Sequence, residues 1–519
     1  MSVASNLTYT LDELPFFWRA MIVAGGVLVS LSAYRLLHLD FLPLPLFLSL
    51  FPVLPLVGLS VCRRSWQSPM LPFLSVFLVF VTMFIDSFSS RSFGISPKSN
   101  QLVFLFSLLF AGFYFLRDFQ FYWRHWQVRI AFAFFIVTLI YFFFHASDFD
   151  ISRVKYGYVL LITAGLEINS PPVRNIILIS SLSLLVANVL AISPFSRHAL
   201  SDQKASATFL KISFSVLAYS LIVVTGCFLS KGAKWNYGMH YYLPLVMLVG
   251  CVGYYLVKKH HAMETAWLLP IPLSRFLGGA LLFSGLFLPL FLNKTSLFGT
   301  LLCFAMFFAL TQGAGYGDFL KVIWRFASHN FSSKLFLAFV LMGLLLLAGV
   351  FGVFELFASK IDYVVSGLSK NSSMKVREGN WQYFLQDWQQ TLDFWRVLFG
   401  YGIGASRKTI FYISAMRDGP HESNLVQTLH NGYMEYLYDY GCMSLLYFGL
   451  YAHFLRQAWL SLKNRCNMES RVLGAAQFGI ILYAAFYSLT DGLRVQMLIQ
   501  IFVLLGFMQG LKGSYARNT

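Results

Sequence analysis

The chain has 519 residues, of which 57% are hydrophobic, 18% aromatic and only 12% charged, and it carries a formal net charge of +17. Soluble domains carry roughly 25% charged residues, so this composition excludes an ordinary soluble globule. Apolar runs of about 18 residues recur along the chain, each long enough to cross a bilayer of roughly 30 Å as a helix.

The runs are continuous and not alternating, which excludes a β-barrel. The expected fold class is therefore all-α: a polytopic integral membrane protein with about 12–14 transmembrane helices, read from apolar run length. In chain order the candidate spans are 16–33, 41–61, 71–89, 101–117, 129–146, 173–193, 208–229, 239–257, 275–292, 295–311, 335–358, 441–458, 472–490 and 495–511. The run at 156–168, "YGYVLLITAGLEI", is short and carries Glu167, so it reads as a partial segment that does not cross. Residues 1–15 are polar and acidic and Arg19 interrupts the first apolar run, so no cleavable signal is expected.

The basic residues set the orientation. Arg63 and Arg64, Arg117, Arg124 and Arg129, Lys258 and Lys259, Lys321, Arg325 and Lys334, Arg456, Lys463, Arg465 and Arg471, and Lys512 and Arg517 lie between or after spans. With 156–168 not crossing, all of these fall on one side, which the positive-inside rule makes cytoplasmic. The net charge is thus mainly topological, not a nucleic-acid footprint. The six cysteines (Cys62, Cys227, Cys251, Cys303, Cys442 and Cys466) form no CxxC pair and read as small apolar packers.

The same orientation puts the one long hydrophilic segment, 359–430, outside the cytoplasm. The organisation expected is a transmembrane region over 1–358, an ordered external loop over 359–430 and C-terminal transmembrane helices over 431–519. Within the loop, Trp381, Phe384, Leu385, Trp388, Leu392, Trp395 and Leu398 recur at helical spacing, which predicts an amphipathic helix or helix pair lying on the membrane surface. No Gly-rich nucleotide loop, no HExxH and no cytoplasmic Asp-x-Asp pair is present to hold a nucleotide or a metal.

Chemistry is therefore expected in the loop. Lys375, Arg377, Arg396, Arg407, Lys408 and Arg417 supply cations there, and a guanidinium matches a diphosphate in a bidentate manner. Leu398–Gly404, "LFGYGIG", offers three glycines where backbone can approach a ligand or simply turn. His430 opens the next helix as a general-base candidate near neutral pH. Each has a plainer reading: Arg377 as a surface arginine, "GYGIG" as a turn, and His430-Asn431 as a capping pair. Tyr433, Tyr436, Tyr438 and Tyr440 read more readily as an interfacial belt than as a sugar platform.

Together, Arg377, Trp381, Gly400, Gly402, Gly404, His430, Asn431, Glu435 and Gly441, in an external loop between late spans, resemble the O-antigen ligase and O-antigen polymerase family. The resemblance covers roughly residues 370 to 455. It implies a GT-C-type glycosyltransferase in the bacterial inner membrane with its site facing the periplasm. The donor implied is a glycan on undecaprenyl diphosphate, and the acceptor a sugar hydroxyl on the lipid A core or on another carrier-linked repeat. No cofactor, metal or nucleic acid is implied. The residues carried over are Arg377, to bind the diphosphate and stabilise it as leaving group, and His430, to deprotonate or orient the acceptor hydroxyl, with inversion by direct displacement. Trp381, Arg407, Asn431 and Glu435 fall to substrate binding, Glu435 by orienting His430 or a sugar hydroxyl.

Two departures stand out. The family's second arginine, in a Ser-Arg-Gly-Ala element, has its nearest counterpart in "SKGAKW" with Lys231 in its place, ahead of "TQGAG" with Gln312. Lysine counters phosphate charge without the bidentate fork. Ser444 also stands where the ligase pattern has Gly, Thr or Tyr. Ligase activity is placed slightly ahead of polymerase activity, with a lipid-linked oligosaccharide transporter or flippase as the reading from another class.

Overall fold

A computed structural model describes residues 111–145 (except 113), 173–193, 236–259, 294–311, 372–418, 429–463, 468–490 and 495–515, with short pieces at 209–210, 213, 274, 277–279 and 281. The spans expected at 16–33, 41–61, 71–89 and 335–358, the partial segment 156–168, and Lys231 and Gln312 lie outside these residues. So do nearly all of the spans expected at 208–229 and 275–292.

The described part is 93% helical. Its α-helices are α1 (Phe119–Trp123), α2 (Trp126–Phe144), α3 (Val173–Ile192), α4 (Asn236–Lys259), α5 (Lys294–Thr311), α6 (Ser372–Thr391), α7 (Phe394–Phe399), α8 (Ala405–Asp418), α9 (Gly432–Tyr440), α10 (Leu445–Lys463), α11 (Met468–Thr490) and α12 (Val495–Tyr515). A short 3₁₀ turn, Gly441–Ser444, joins α9 to α10. The expected spans 129–146, 173–193, 239–257, 295–311, 441–458, 472–490 and 495–511 thus each coincide with a helix, shifted by a few residues at the ends.

Two of these helices, α2 and α11, are long and apolar enough to cross a membrane, with mean hydropathy of 2.0 and 1.6 over their most apolar stretches. On α2 this apolar surface is not all covered by protein: Ile136, Ile140, Phe143 and Phe144 are exposed, Phe144 by 85%. A helix apolar on every side, with large side chains left uncovered, is suited to lipid and poorly suited to water.

Close backbone approach holds the bundle together. α3 packs along α12, α10 and α5 pack along α11, and α2 packs against α3 and α10. A Cβ built on Gly506 of α12 would stand 2.6 Å from Ala191 Cβ of α3, and one on Gly474 of α11 would stand 2.8 Å from Ser461 Cβ of α10. Small residues at such crossings let the axes come close enough for dense contact, the commonest device of helix packing in lipid. Cys251 and Cys303 are buried in this core as free thiols, as small apolar packers would be.

Polar contacts tie the helices together at the two ends. At one end Lys512 reaches Gln477, whose amide donates to the Leu505 carbonyl at 2.8 Å, and Arg471 reaches the Leu310 carbonyl at 3.5 Å. The opposite end is covered by α6 to α9, where Tyr433 Oη donates to the Ala485 carbonyl of α11 at 3.1 Å. Gly506→Leu is expected to destabilise the protein by about 1–3 kcal/mol, because neither Ala191 nor its helix can yield the space. Thermal unfolding of the detergent-solubilised chain, followed by far-UV circular dichroism, measures this as a lowered Tm.

Candidate functional site

The amphipathic pattern of 381–398 becomes two helices because Asp393 interrupts it. Its carboxylate caps α7 by accepting the Arg396 N–H at 2.8 Å. The apolar face of α6 lies largely on protein: Phe384 is buried, it and Trp388 pack on the Tyr438 ring, and Trp381 packs against the same cluster. Leu385, Leu392 and Trp395 of the same pattern remain exposed.

The glycines of "GYGIG" approach their own chain. Tyr401 N–H donates to the Tyr438 carbonyl at 2.9 Å, and Gly402 N–H to the Asp439 carbonyl at 3.1 Å. A Cβ on Gly400 would collide with the Asp439 carbonyl, and one on Gly402 with the His145 carbonyl at the end of α2. One on Gly441 (φ +55) would lie 2.6 Å from Gly400 N. Gly400 and Gly441, 41 positions apart by their numbers, are therefore each held to glycine by the backbone of the other's segment. Of the two sequence readings, a ligand-contacting loop or a turn, these contacts give the turn, packed on the end of α9.

Asp439 closes this joint. Its Oδ2 accepts the Gly404 N–H at 2.9 Å and its Oδ1 the Ser406 N–H at 2.7 Å, so one carboxylate caps the N-terminus of α8 from another helix. Burial pushes the Asp439 pKa up to about 7. The two N–H donors pull the other way, and the Glu435 carboxylate one turn back adds to the rise. Asp439 escaped the sequence reading, although Glu435 and Asp439 at i, i+4 on an otherwise aromatic helix were the available signal.

The N-terminus of α9 holds the motif histidine. Asn431 is the N-cap, its Oδ1 accepting the Met434 N–H at 3.2 Å, as the capping reading expected. Leu429 is held on both sides: Trp381 Nε1 donates to its carbonyl at 2.6 Å, and its N–H donates to Glu435 Oε1 at 3.0 Å. Between Leu429 and Asn431, His430 adopts φ +52, the one non-glycine positive φ among the described residues. Histidine in this left-handed region is strained relative to glycine, and strain of this kind persists only where its neighbours over-determine it.

The predicted residues thus divide. His430, Asn431, Glu435 and Trp381 form one cluster, and Arg377 lies one helical turn before Trp381 in α6. Arg407, half-buried on the first turn of α8, bears on the Tyr436 phenol: burial raises the pKa of that hydroxyl, and the Arg407 charge is among the influences that lower it. The tyrosines of α9 are neither belt nor platform. Tyr438 stacks on Tyr401 at 4.0 Å and Tyr436 on Tyr447 at 4.1 Å, Tyr440 bonds Thr138 at 3.0 Å, and Tyr433 binds α11, so they fasten the loop to the bundle.

A cavity of about 340 Å³ lies at the other end of α9, between α2 and α7. Tyr141, His145, Asp393, Trp395, Arg396, Phe399 and Gly400 are among its lining residues; of the loop residues read from the sequence only the cation Arg396 and Gly400 reach it, and none of the residues assigned to catalysis or substrate binding does. No protein-family model matches the chain, and no curated protein matches it.

Two expectations follow. Asp439 has its folded pKa raised from 3.8 to about 7, so its contribution to stability is fully present below about pH 4 and is lost as pH rises through about 7. Asp439→Asn should flatten that dependence between pH 4 and 7 in chemical unfolding of the detergent-solubilised protein. Gly441→Ala should lower stability by at least about 1 kcal/mol, since Ala pays for the left-handed backbone and collides with Gly400 as well; a thermal melt reads the loss.

Proposed function

We propose that this protein is a multi-pass glycosyltransferase of the bacterial inner membrane, related in mechanism to the O-antigen ligases and polymerases, with its site facing the periplasm. The observation that carries the reading is His430 at φ +52, fixed by the Trp381–Leu429–Glu435 bracket one turn from Arg377. An imidazole needed only as a helix cap would have no use for that strain, because Asn431 already caps α9. The separation of the Arg471 and Lys512 cluster from the α6–α9 end supports the orientation.

In this reading the donor is a glycan on undecaprenyl diphosphate, anchored in the bilayer, and the acceptor is a sugar hydroxyl, on the lipid A core by preference. The His430 imidazole takes the hydroxyl proton as the acceptor oxygen attacks the anomeric carbon. The bond from that carbon to the diphosphate breaks, and its electron pair leaves with the phosphate, whose charge Arg377 counters, assisted by Arg407 and Lys231. Displacement from the opposite face inverts the anomeric centre. The diphosphate is already an activated leaving group, so the step asks for cations and a base and has no need of a metal or nucleotide.

The test is complementation of a strain lacking this protein, with the surface glycan displayed on a gel at matched membrane expression. Arg377→Ala and His430→Ala should each lower the glycan by about 10²–10⁴-fold. His430→Asn tolerates the left-handed backbone and should be equally inactive while folding normally. Core lipid without glycan marks a ligase; core carrying a single repeat marks a polymerase. Wild-type glycan from both alanine variants sinks the proposal.

A further inference from the structure

The cavity between α2 and α7 has features that the His430 cluster lacks. Its volume of about 340 Å³ falls within the roughly 300–1,000 Å³ usual for small-molecule sites. Tyr141 lines it, is only 6% exposed, and its buried Oη has no hydrogen-bond partner among the described residues. A buried hydroxyl left unsatisfied costs about 1–3 kcal/mol, which a ligand bringing a donor or acceptor would recover. On the α7 side stand Trp395, 66% exposed, and Phe399, their rings stacked at 6.1 Å.

The charges decide the class of ligand. Arg396 is the cation of the cavity, and it is committed: it lies 3.5 Å from the Asp393 carboxylate, donates to the Thr391 carbonyl and sits 4.9 Å over the Tyr401 ring. Asp393 and Arg396 cancel, so a phosphate or diphosphate would meet little net attraction there. The Asp393 carboxylate nevertheless retains acceptor sites beyond those used by Arg396. A planar carboxylate, an unsatisfied phenol and an exposed aromatic ring together suit a neutral polyhydroxylated ring, which has hydroxyls on its rim and C–H groups on its faces.

We propose that this cavity is a carbohydrate-binding subsite, in which Trp395 carries one face of a sugar ring while Asp393 and Tyr141 hold its hydroxyls. The idea rests on the glycan-transfer reading and extends it. α9, nine residues long and so about 14 Å at 1.5 Å per residue, stands between His430 and the joint beside this cavity, so the subsite takes a sugar one or more units away from the reacting hydroxyl. His145 ties it to the catalytic loop, since its Nε2 donates to the Gly400 carbonyl at 3.2 Å.

The test uses the full chain in detergent and saturation-transfer NMR with glucose, galactose, N-acetylglucosamine and rhamnose as probes. At least one should bind the wild type. Tyr141→Phe removes only the unsatisfied hydroxyl and should weaken binding about tenfold without destabilising the fold, one lost hydrogen bond being worth about 1.4 kcal/mol. Trp395→Ala, at an exposed position, should weaken it by at least as much. No binding by any sugar, or equal binding by the wild type, Tyr141→Phe and Trp395→Ala, overturns the subsite. Loss of affinity for vesicles of anionic phospholipid by Trp395→Ala, with sugar binding unchanged, also overturns it and makes the surface a membrane anchor. The two readings fail separately: sugar binding at Trp395 with His430 dispensable for glycan production removes the transferase and leaves the subsite, and the converse removes the subsite alone.

Discussion

One carboxylate holds the candidate site together. Asp439 sits at the end of α9 and accepts two backbone N–H groups from the start of α8, while the Gly400 and Gly441 backbones touch beside it. Buried N–H groups at a helix start must find acceptors, and no side chain near them in sequence supplies one in their place. Without Asp439 the start of α8, and with it Arg407, would keep only the Thr409–Tyr438 bond and apolar packing to hold it on α9. The tyrosine stacks and the Tyr440–Thr138 bond then fix α9 on α2 and α10.

α9 consequently works as a short strut with different chemistry at its ends. Its C-terminus is a backbone joint, tight enough that only glycine fits, and opens towards the cavity beside His145. Its N-terminus carries His430, held in a left-handed conformation by hydrogen bonds to both sides of Leu429. Glu435 belongs to that support: its carboxylate fixes the backbone that presents the imidazole. A rigid strut with a strained titratable group at its tip is the arrangement expected where positioning matters more than packing.

The motif residues carry two kinds of information that the sequence does not separate. Glycine at 400, 402 and 441 is compatible with a ligand-approaching loop or with chain crossing chain, and only the contact of Gly400 with Gly441 selects the second. Tyrosine at 433, 436, 438 and 440 is compatible with a belt, a platform or a core, because its ring is apolar and its hydroxyl polar. Stacking partners 37 residues away for Tyr438 and 11 for Tyr436, counted from the residue numbers, put these rings into the core. The capping role of Asn431 and the helix pair of 381–398 were legible, since both depend on neighbours within a few residues.

By itself, the sequence determined that the chain is helical and strongly apolar, where seven of its helices lie, and which loop gathers the cations and the histidine. Those properties follow from local composition and periodicity, which a linear reading contains. Tertiary structure alone decided that Asp439 is the anchor, that Trp381 and Glu435 act on the peptide before His430, and that Tyr141, Asp393 and Trp395 share a cavity. Each of those depends on which distant segments meet, and burial, charge cancellation and an unsatisfied hydroxyl acquire meaning only once they have met.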